Sequence, residues 1–320
     1  MSETVAAVAI GRNEGERLKR CLASLSGRAA PVVYVDSGST DGSVEAARAA
    51  GAHVVELDLS TPFTAARARN AGLARVAELD PRGALVQVLD GDCELDPDWL
   101  PQAVAAIASE PDLAVVCGRR REKFPEASLW NRLIDAEWDT PVGEARACGG
   151  DALMRRAALD AVGGYREDLI AGEEPEMCYR MRQKGWRIRR IDAEMTRHDA
   201  ALTRVGQWWA RSRRAGHAYA AVEALHGKGP EGFRRAETRR ALLWGAGIPL
   251  AAILGAVFVS GWALLLLLAF PLQGLRLALR GVPMTRAIFL TLGKIPEAQG
   301  VIGFHADRLT GRRRGLIEYK

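Results

Sequence analysis

Residues 241–275 carry no Asp, Glu, Lys or Arg, and no other feature restricts the possible architecture of this chain so strongly. A helix needs about 20 apolar residues to cross a bilayer. Trp244, Ile248, Leu250, Ile253, Leu254, Val257, Phe258 and the leucines from Leu264 to Leu268 supply more than that. Helices buried in a soluble core usually keep a polar stripe; this run has none, so membrane insertion is expected in preference to a hairpin buried in a soluble core. As one unbroken helix the run would be about 52 Å long, against a hydrocarbon core of about 30 Å. A break is therefore expected. Gly255, Ser260 and Gly261 lie near its middle, and Pro249 and Pro271 can kink either half.

Charge divides the rest of the chain around this run. The formal net charge of +5 conceals an acidic first part, residues 1–203, with 26 basic and 33 acidic residues. Residues 204–240 and 276–320 each have nine basic residues against three acidic ones. Lys and Arg accumulate on the cytoplasmic side of membrane spans, so basic flanks at both ends favour two short passes or a re-entrant hairpin with both ends inside. Such flanks attract anionic lipid headgroups, and their place beside the apolar run points to lipid rather than nucleic acid. The expected order is a folded domain over 1–203, a basic amphipathic helical linker over 204–240, a transmembrane or re-entrant hairpin over 241–275, and a basic cytoplasmic tail over 276–320. Within the linker, Trp208, Trp209, Arg211, Arg213 and Arg214 form a basic, aromatic-bearing pattern that suits a helix lying on a bilayer or one packed with its indoles inside.

The apolar run at 5–10 is short and gives way at once to Arg12, Asn13, Glu14 and Glu16, unlike a cleavable leader. The first domain is expected to stay in the cytoplasm. Cys21, Cys93, Cys117, Cys148 and Cys178 are odd in number and never spaced as C-x-x-C, which suits reduced packing residues and offers no zinc pattern.

Along the first domain, short apolar runs at 5–10, 31–35, 53–57 and 84–89 alternate with helical patterns at 16–24, 43–50, 64–78 and 98–109. That alternation predicts an α/β fold, a mostly parallel sheet with helices on both faces. Ligands of such sheets collect beyond the carboxyl ends of the strands, which directs attention to two loops. After Val35 comes Asp36-Ser37-Gly38-Ser39-Thr40-Asp41-Gly42-Ser43, polar and leading into a helix, which suits either a nucleotide or an ordinary capped turn. After Leu89 comes Asp90-Gly91-Asp92. Two carboxylates at the end of a buried strand need a cationic neighbour. Mg²⁺ or Mn²⁺ would meet that need, completing its oxygen shell with phosphate and water. No G-x-G-x-x-G or P-loop pattern follows a strand, which removes the main support for dinucleotide hydride transfer and P-loop hydrolysis.

These motifs, in this order, resemble the family 2 glycosyltransferases of GT-A fold over roughly residues 5–199. The resemblance is carried by Val8 to Glu14, the 35–43 loop, Arg69-Asn70-Ala71-Gly72, Asp90-Gly91-Asp92, Cys148-Gly149-Gly150-Asp151 with Gly163-Gly164-Tyr165, and Gly172-Glu173-Glu174-Pro175-Glu176 followed by Arg180. It implies inverting transfer of a sugar from a nucleotide-diphosphate donor, with a divalent cation on the diphosphate and a carboxylate base for the acceptor hydroxyl. Asp92 is then the main metal residue and Asp90 assists. Glu174, standing where the family usually has Asp, is the base, with Glu173 beside it. His198, after a strand-like stretch at 186–191, resembles a third metal position. Ala9, Asn13, Glu14 and Asp36 would border base and ribose, Arg69 would contact the diphosphate, and Gly149 and Gly150 would let the backbone approach a sugar.

The Q-x-x-R-W element of processive polymer synthases is missing, since Gln207-Trp208-Trp209-Ala210-Arg211 has neither its spacing nor its terminal Trp. A single transfer is expected, to a lipid-linked or membrane-proximal glycan acceptor in surface polysaccharide or glycolipid synthesis, at a bacterial inner membrane. The competing readings are a sugar-nucleotide pyrophosphorylase, for which Gly11-Arg12-Asn13-Glu14-Gly15 is a poor phosphate loop, and a non-catalytic membrane scaffold.

Overall fold

A computed structural model of the chain describes residues 4–312. They fall into two compact units divided between Thr203 and Arg204.

The first unit is built on one nine-stranded mixed sheet. Its opening half alternates strand and helix: β1 (Ala6–Gly11), α1 (Glu16–Leu25), β2 (Val32–Asp36), α2 (Ser43–Ala49), β3 (His53–Glu56), α3 (Ala65–Leu79) and β4 (Leu85–Asp90). The apolar residues of β1, β2 and β4 are nearly all buried, as strands covered on both faces require. Beyond β4 come β5 (Cys93–Leu95), α4 (Trp99–Ser109), β6 (Leu113–Glu122), α5 (Leu129–Trp138), β7 (Gly143–Glu144), β8 (Ala152–Arg155), α6 (Arg156–Val162), α7 (Glu173–Gln183) and β9 (Arg187–His198). The strand order is β3-β2-β1-β4-β8-β6-β9-β5, with β7 also on β9. Pairing is parallel from β3 through β4 and between β6 and β9; β8 runs antiparallel to both neighbours, as β5 and β7 do to β9.

Register puts the chemistry at one end of this sheet. Gly11 of β1 pairs with Asp36 of β2, and Ile10 pairs with Asp90 of β4. The two acidic strand ends therefore flank the end of β1. Farther along, His198 pairs with Cys93 on one side and with Glu122 on the other.

The second unit is helical: α8 (Val205–His226), α9 (Arg235–Leu242), α10 (Ile248–Phe258), α11 (Ala269–Leu279), α12 (Met284–Leu292) and α13 (Lys294–Thr310). A π-helical turn over Leu243–Gly247 joins α9 to α10, and a 3₁₀ stretch over Gly261–Leu268 leads into α11. Two continuous helical segments result, Arg235–Phe258 and Gly261–Leu279, each long and apolar enough to cross a membrane. The break falls at Ser260, whose hydroxyl accepts from the amide of Trp262. Only 11% and 6% of their most apolar stretches is buried, which distinguishes them from the core helices of a soluble protein. The 276–320 segment, expected as a tail, instead forms α12 and α13 over most of its described residues, because α13 has α8 to pack against. A Cβ on Gly216 would sit 1.9 Å from the Glu297 carbonyl oxygen, and one on Gly300 2.0 Å from that of Arg213, so glycine on both helices permits backbone contact. Trp208 meets the Phe289 ring edge-on at 5.2 Å, and Trp209 donates from Nε1 to Gln299 Oε1 at 2.9 Å. Both indoles have partners inside this unit.

Candidate active site

The acidic turn after β4 is held from both sides. The Gly91 amide donates to the Ile10 carbonyl at 2.8 Å, and a Cβ on Gly91 would press on that oxygen at 3.1 Å. Glycine thus lets the turn sit against β1 and project Asp90 and Asp92 in different directions.

Asp92 reaches His198. Its Oδ2 lies 3.2 Å from His198 Nε2, and both residues are buried. Around an octahedral ion with bonds of about 2.1 Å, adjacent ligand atoms stand about 3 Å apart, so this pair fits two neighbouring corners. An acid oxygen and an imidazole nitrogen also suit Mn²⁺ or Mg²⁺ chemically. Cys93 Sγ lies within 4.8 Å of a carboxylate oxygen of Asp92 and a ring nitrogen of His198. Burial pushes its thiol well above the usual range, the nearby acids add to this, and Arg120 only partly offsets it. A protonated soft sulfur is a poor ligand for a hard cation.

Asp90, expected to assist the metal, has two guanidinium partners instead. Arg69 Nη2 binds its Oδ1 at 2.9 Å and Arg120 Nη2 its Oδ2 at 3.2 Å. Burial raises its pKa, but the two arginines outweigh that and hold the carboxyl below the usual range. Arg120 also lies 3.5 Å from Asp151 Oδ2 and stacks on Trp138 at 4.8 Å. Asp151 in turn accepts from the Asp90 amide at 3.1 Å and from Thr196 Oγ1 at 2.6 Å.

Arg69, expected at a diphosphate, is a buried hub. Besides Asp90 it binds Glu173 Oε1 at 2.8 Å and Glu174 Oε1 at 3.0 Å. The Arg69-Asn70-Ala71-Gly72 run explains its reach. A Cβ on Gly72 would be 2.3 Å from Val8 Cγ1, so α3 lies directly on β1. Asn70 docks the Gly163-Gly164-Tyr165 turn, accepting from the Tyr165 amide at 2.9 Å and donating to its carbonyl at 2.9 Å. Arg69, one residue earlier on this clamped helix, then points across to α7.

Helix α7 begins after Gly172, whose φ of 84° is left-handed, and opens with Glu173, Glu174 and Glu176 at the positive end of its dipole. Glu176 serves the fold, paired with Arg180 at 2.7 Å. Glu173 and Glu174 differ in access, with side chains 4% and 16% exposed. Glu174 is pushed up to about 7, first by burial and then by the charge of Glu173, against the opposing pull of Arg69. A carboxyl near neutrality that solvent can reach suits a general base.

Charge around this centre is unbalanced. Among the described residues, the guanidinium groups paired with Asp90, Asp151, Glu173 and Glu174 are those of Arg69 and Arg120. The excess is negative, which favours a divalent ion at the Asp92–His198 pair.

The residues expected beside a nucleotide lie mainly around the ends of β1 and β2. Asp36 is buried and engaged: Tyr34 donates to Oδ1 at 3.0 Å, and the amides of Gly38 and Ser39 donate to Oδ2 at 2.8 Å each. It shapes the loop from within. Asn13, left-handed at φ 56°, pins the same loop, its Oδ1 accepting from the Thr40 amide at 2.8 Å and its own amide donating to Ser39 Oγ at 2.9 Å. Glu14 pairs with Arg17 at 2.9 Å. The Ala9 side chain is buried in the sheet core. Gly149 and Gly150 separate: Gly149 is exposed with nothing near its missing Cβ, whereas a Cβ on Gly150 would be 2.9 Å from both Arg69 Nη2 and Asp90 Oδ2. Gly150 makes room for the Arg69–Asp90 pair.

Arg120, Trp138 and Glu122 escaped the reading of the sequence. The one signal was Arg119-Arg120-Arg121-Glu122, a charged run at the end of an otherwise apolar strand.

The glycosyl transferase family 2 model matches residues 8–163, a stretch that carries most of β1, Arg69, the acidic turn and Asp151. The first unit holds a family 2 glycosyltransferase domain. The glycosyltransferase AglE of Haloferax volcanii is 25% identical over 189 residues, covering 55% of this chain and 60% of that protein. The succinoglycan biosynthesis protein ExoA of Rhizobium meliloti is 30% identical over 185 residues, 54% of each. The chain thus spans little more than half the length of these curated relatives. Among solved structures, the mannosyltransferase PcManGT of Pyrobaculum calidifontis, in complex with GDP-Man and Mn²⁺, matches 95% of this chain and 87% of its own with a TM-score of 0.65 at 20% identity. The glycosyltransferase domain accordingly has the GT-A fold.

Proposed function

We propose that the chain is an inverting glycosyltransferase that moves one sugar from a nucleotide-diphosphate donor to a lipid-linked or membrane-proximal glycan acceptor. The observation that carries this reading is the pairing of two acidic stations through one arginine. Asp90 leads by the acidic turn to the Asp92–His198 pair, and Arg69 joins Asp90 to Glu174.

Glu174 accepts the proton of the acceptor hydroxyl, whose oxygen then attacks the anomeric carbon from the side opposite the diphosphate. Arg69 holds Glu173 and Glu174 in place, and Asp90 anchors both arginines beside the leaving group. Asp92 and His198 would hold a divalent cation, Mg²⁺ or Mn²⁺, which would supply positive charge for the departing diphosphate. The GDP-Man and Mn²⁺ of the mannosyltransferase neighbour support donor and ion, and the succinoglycan-synthesis relative supports a glycan acceptor. The two exposed apolar helices support an anchor in the inner membrane, with the domain on the cytoplasmic side and basic flanks on anionic lipid.

Full-length protein in membranes, given a panel of labelled nucleotide sugars, should transfer label to a lipid or glycan fraction. Glu174→Gln should lower that transfer by roughly 10²–10⁴-fold while leaving donor binding intact. Unchanged transfer in this variant removes Glu174 as the base.

A further inference from the structure

His198 is flanked on three sides, and one of the flanking groups has been given no role. Its Nε2 faces Asp92, and the Trp138 ring stands edge-on to it, with centroids 4.8 Å apart and planes at 86°. On the third side, its buried Nδ1 has no hydrogen-bond partner among the described residues and lies 3.8 Å from Glu122 Oε2.

Glu122 is buried at the end of β6 and held rigidly. Its Oε1 accepts from the Phe124 amide at 3.0 Å and from Asn131 Nδ2 at 3.2 Å, and its Oε2 accepts from the Ala200 amide at 3.0 Å. Asn131 is itself pinned, accepting from the Leu202 amide at 3.0 Å and donating to the Phe124 carbonyl at 2.9 Å. A buried carboxylate with these donors could be purely structural. Its remaining neighbour, however, is an imidazole nitrogen that lacks a partner, and the parallel register of β6 and β9 pairs Glu122 with His198. A metal-ligating histidine usually directs its other ring N–H at a carboxylate, which fixes ring and tautomer and strengthens the ligand nitrogen.

We propose that Glu122 is a positioning residue for the cation site: it keeps the proton of His198 on Nδ1, so that the Nε2 lone pair is presented beside Asp92 to a divalent ion. The proposal rests on reading Asp92 and His198 as the cation pair, and its test reads metal binding directly, with no donor and no sugar transfer. Asp92 alone leaves the ion one protein ligand; the Glu122-oriented imidazole supplies the second.

The test is Mn²⁺ binding to the full chain, followed by electron paramagnetic resonance. Glu122→Gln keeps the shape and removes the charge; it should weaken binding roughly 10–100-fold. His198→Ala should weaken it at least as much, and the double variant should be no weaker than His198→Ala alone, because Glu122 acts only through the ring. Wild-type affinity in Glu122→Gln overturns the proposal, as does independent addition of the two losses. Absence of Mn²⁺ binding in the unaltered protein overturns the cation pair and this proposal together; binding that Glu122→Gln leaves intact overturns this proposal alone. Should the Glu122 variant not fold, ¹⁵N spectra of histidine-labelled wild-type protein with Mg²⁺ decide, the His198 signals being identified by their loss in His198→Ala. A proton on Nδ1 with Nε2 shifted by Mg²⁺ supports the assignment, and the opposite tautomer overturns it.

Discussion

Glu173 and Glu174 are neighbours in sequence and share the Arg69 guanidinium; Glu174 is the more accessible of the two, and its carboxyl is pushed up to about 7. A base must be ionised to act, so transfer at subsaturating donor should rise with pH through about 7 and level off above it. Glu173→Gln removes the second-largest cause of the upward shift and should move that rising limb to lower pH; an unmoved limb in pH–rate profiles would contradict the assignment. The same shift has a sign for folding. The native carboxyl binds its proton more tightly than the unfolded chain does, so this group's contribution to stability falls as pH rises from about 4.5 to about 7. At this scale the acidic residues were legible in the sequence, and their partners were not. The acidic turn and the Glu cluster were legible from their places after a strand and at a helix start. That Arg69 would spend its charge on Asp90, 21 residues away, and on Glu173, 104 residues away, was not. Pairing of this kind is set by the tertiary fold, and burial makes it strong: removing one partner of a buried ion pair costs about 3–5 kcal/mol, whereas an exposed pair such as Arg121–Glu194 is worth about 0–1 kcal/mol.

The elements that carry these residues depend on a few close approaches. A Cβ on Gly150 would meet the Arg69–Asp90 pair, whereas one on the adjacent Gly149 would meet nothing within 4 Å. Gly150→Ala should therefore lower transfer sharply while Gly149→Ala stays near wild type, each checked by transfer assay with thermal unfolding as the control for folding. Equal effects would show that Gly150 does not make room for the ion pair. The βα alternation through α4 was legible because apolar runs of strand length there alternate with helical periodicity. Beyond α4 that signal fails. Strand β8 has four residues and lies between β4 and β6 by pairing with distant segments, and β6 shifts register several times against β9. Short, bulged strands with distant partners leave little local pattern, so Arg120 and Glu122 stayed hidden at the end of a strand that was not anticipated. In the second unit, the length of the uncharged run and its Gly255, Ser260 and Gly261 made a break legible, and the two helical segments part between Phe258 and Gly261. The pairing of α13 with α8 rests on Gly216 and Gly300, whose meaning appears only once the helices are together.

For the whole molecule, the proposed function couples a glycosyltransferase domain to two helices long and apolar enough to cross a membrane. The segment Arg235–Phe258 has 24 residues, about 36 Å of helix at about 1.5 Å per residue, enough to cross about 30 Å of hydrocarbon. The five native cysteines are buried, so introduced thiols can report topology. A cysteine at Ser260 should react with an impermeant reagent from outside the cell, and cysteines at Glu231 and Arg312 only from inside. Protection of the Ser260 site from both faces would indicate a hairpin that dips and returns. The central claim lies elsewhere: the acidic turn after β4 holds a cation that secures a nucleotide-sugar diphosphate. A ligand that binds only the native state raises its thermal stability. The decisive measurement is thermal unfolding of full-length protein with a panel of nucleotide sugars, with and without Mn²⁺. The account predicts stabilisation by at least one nucleotide sugar that requires Mn²⁺ and disappears in Asp92→Ala; stabilisation that persists in that variant, or that never depends on the ion, would contradict it.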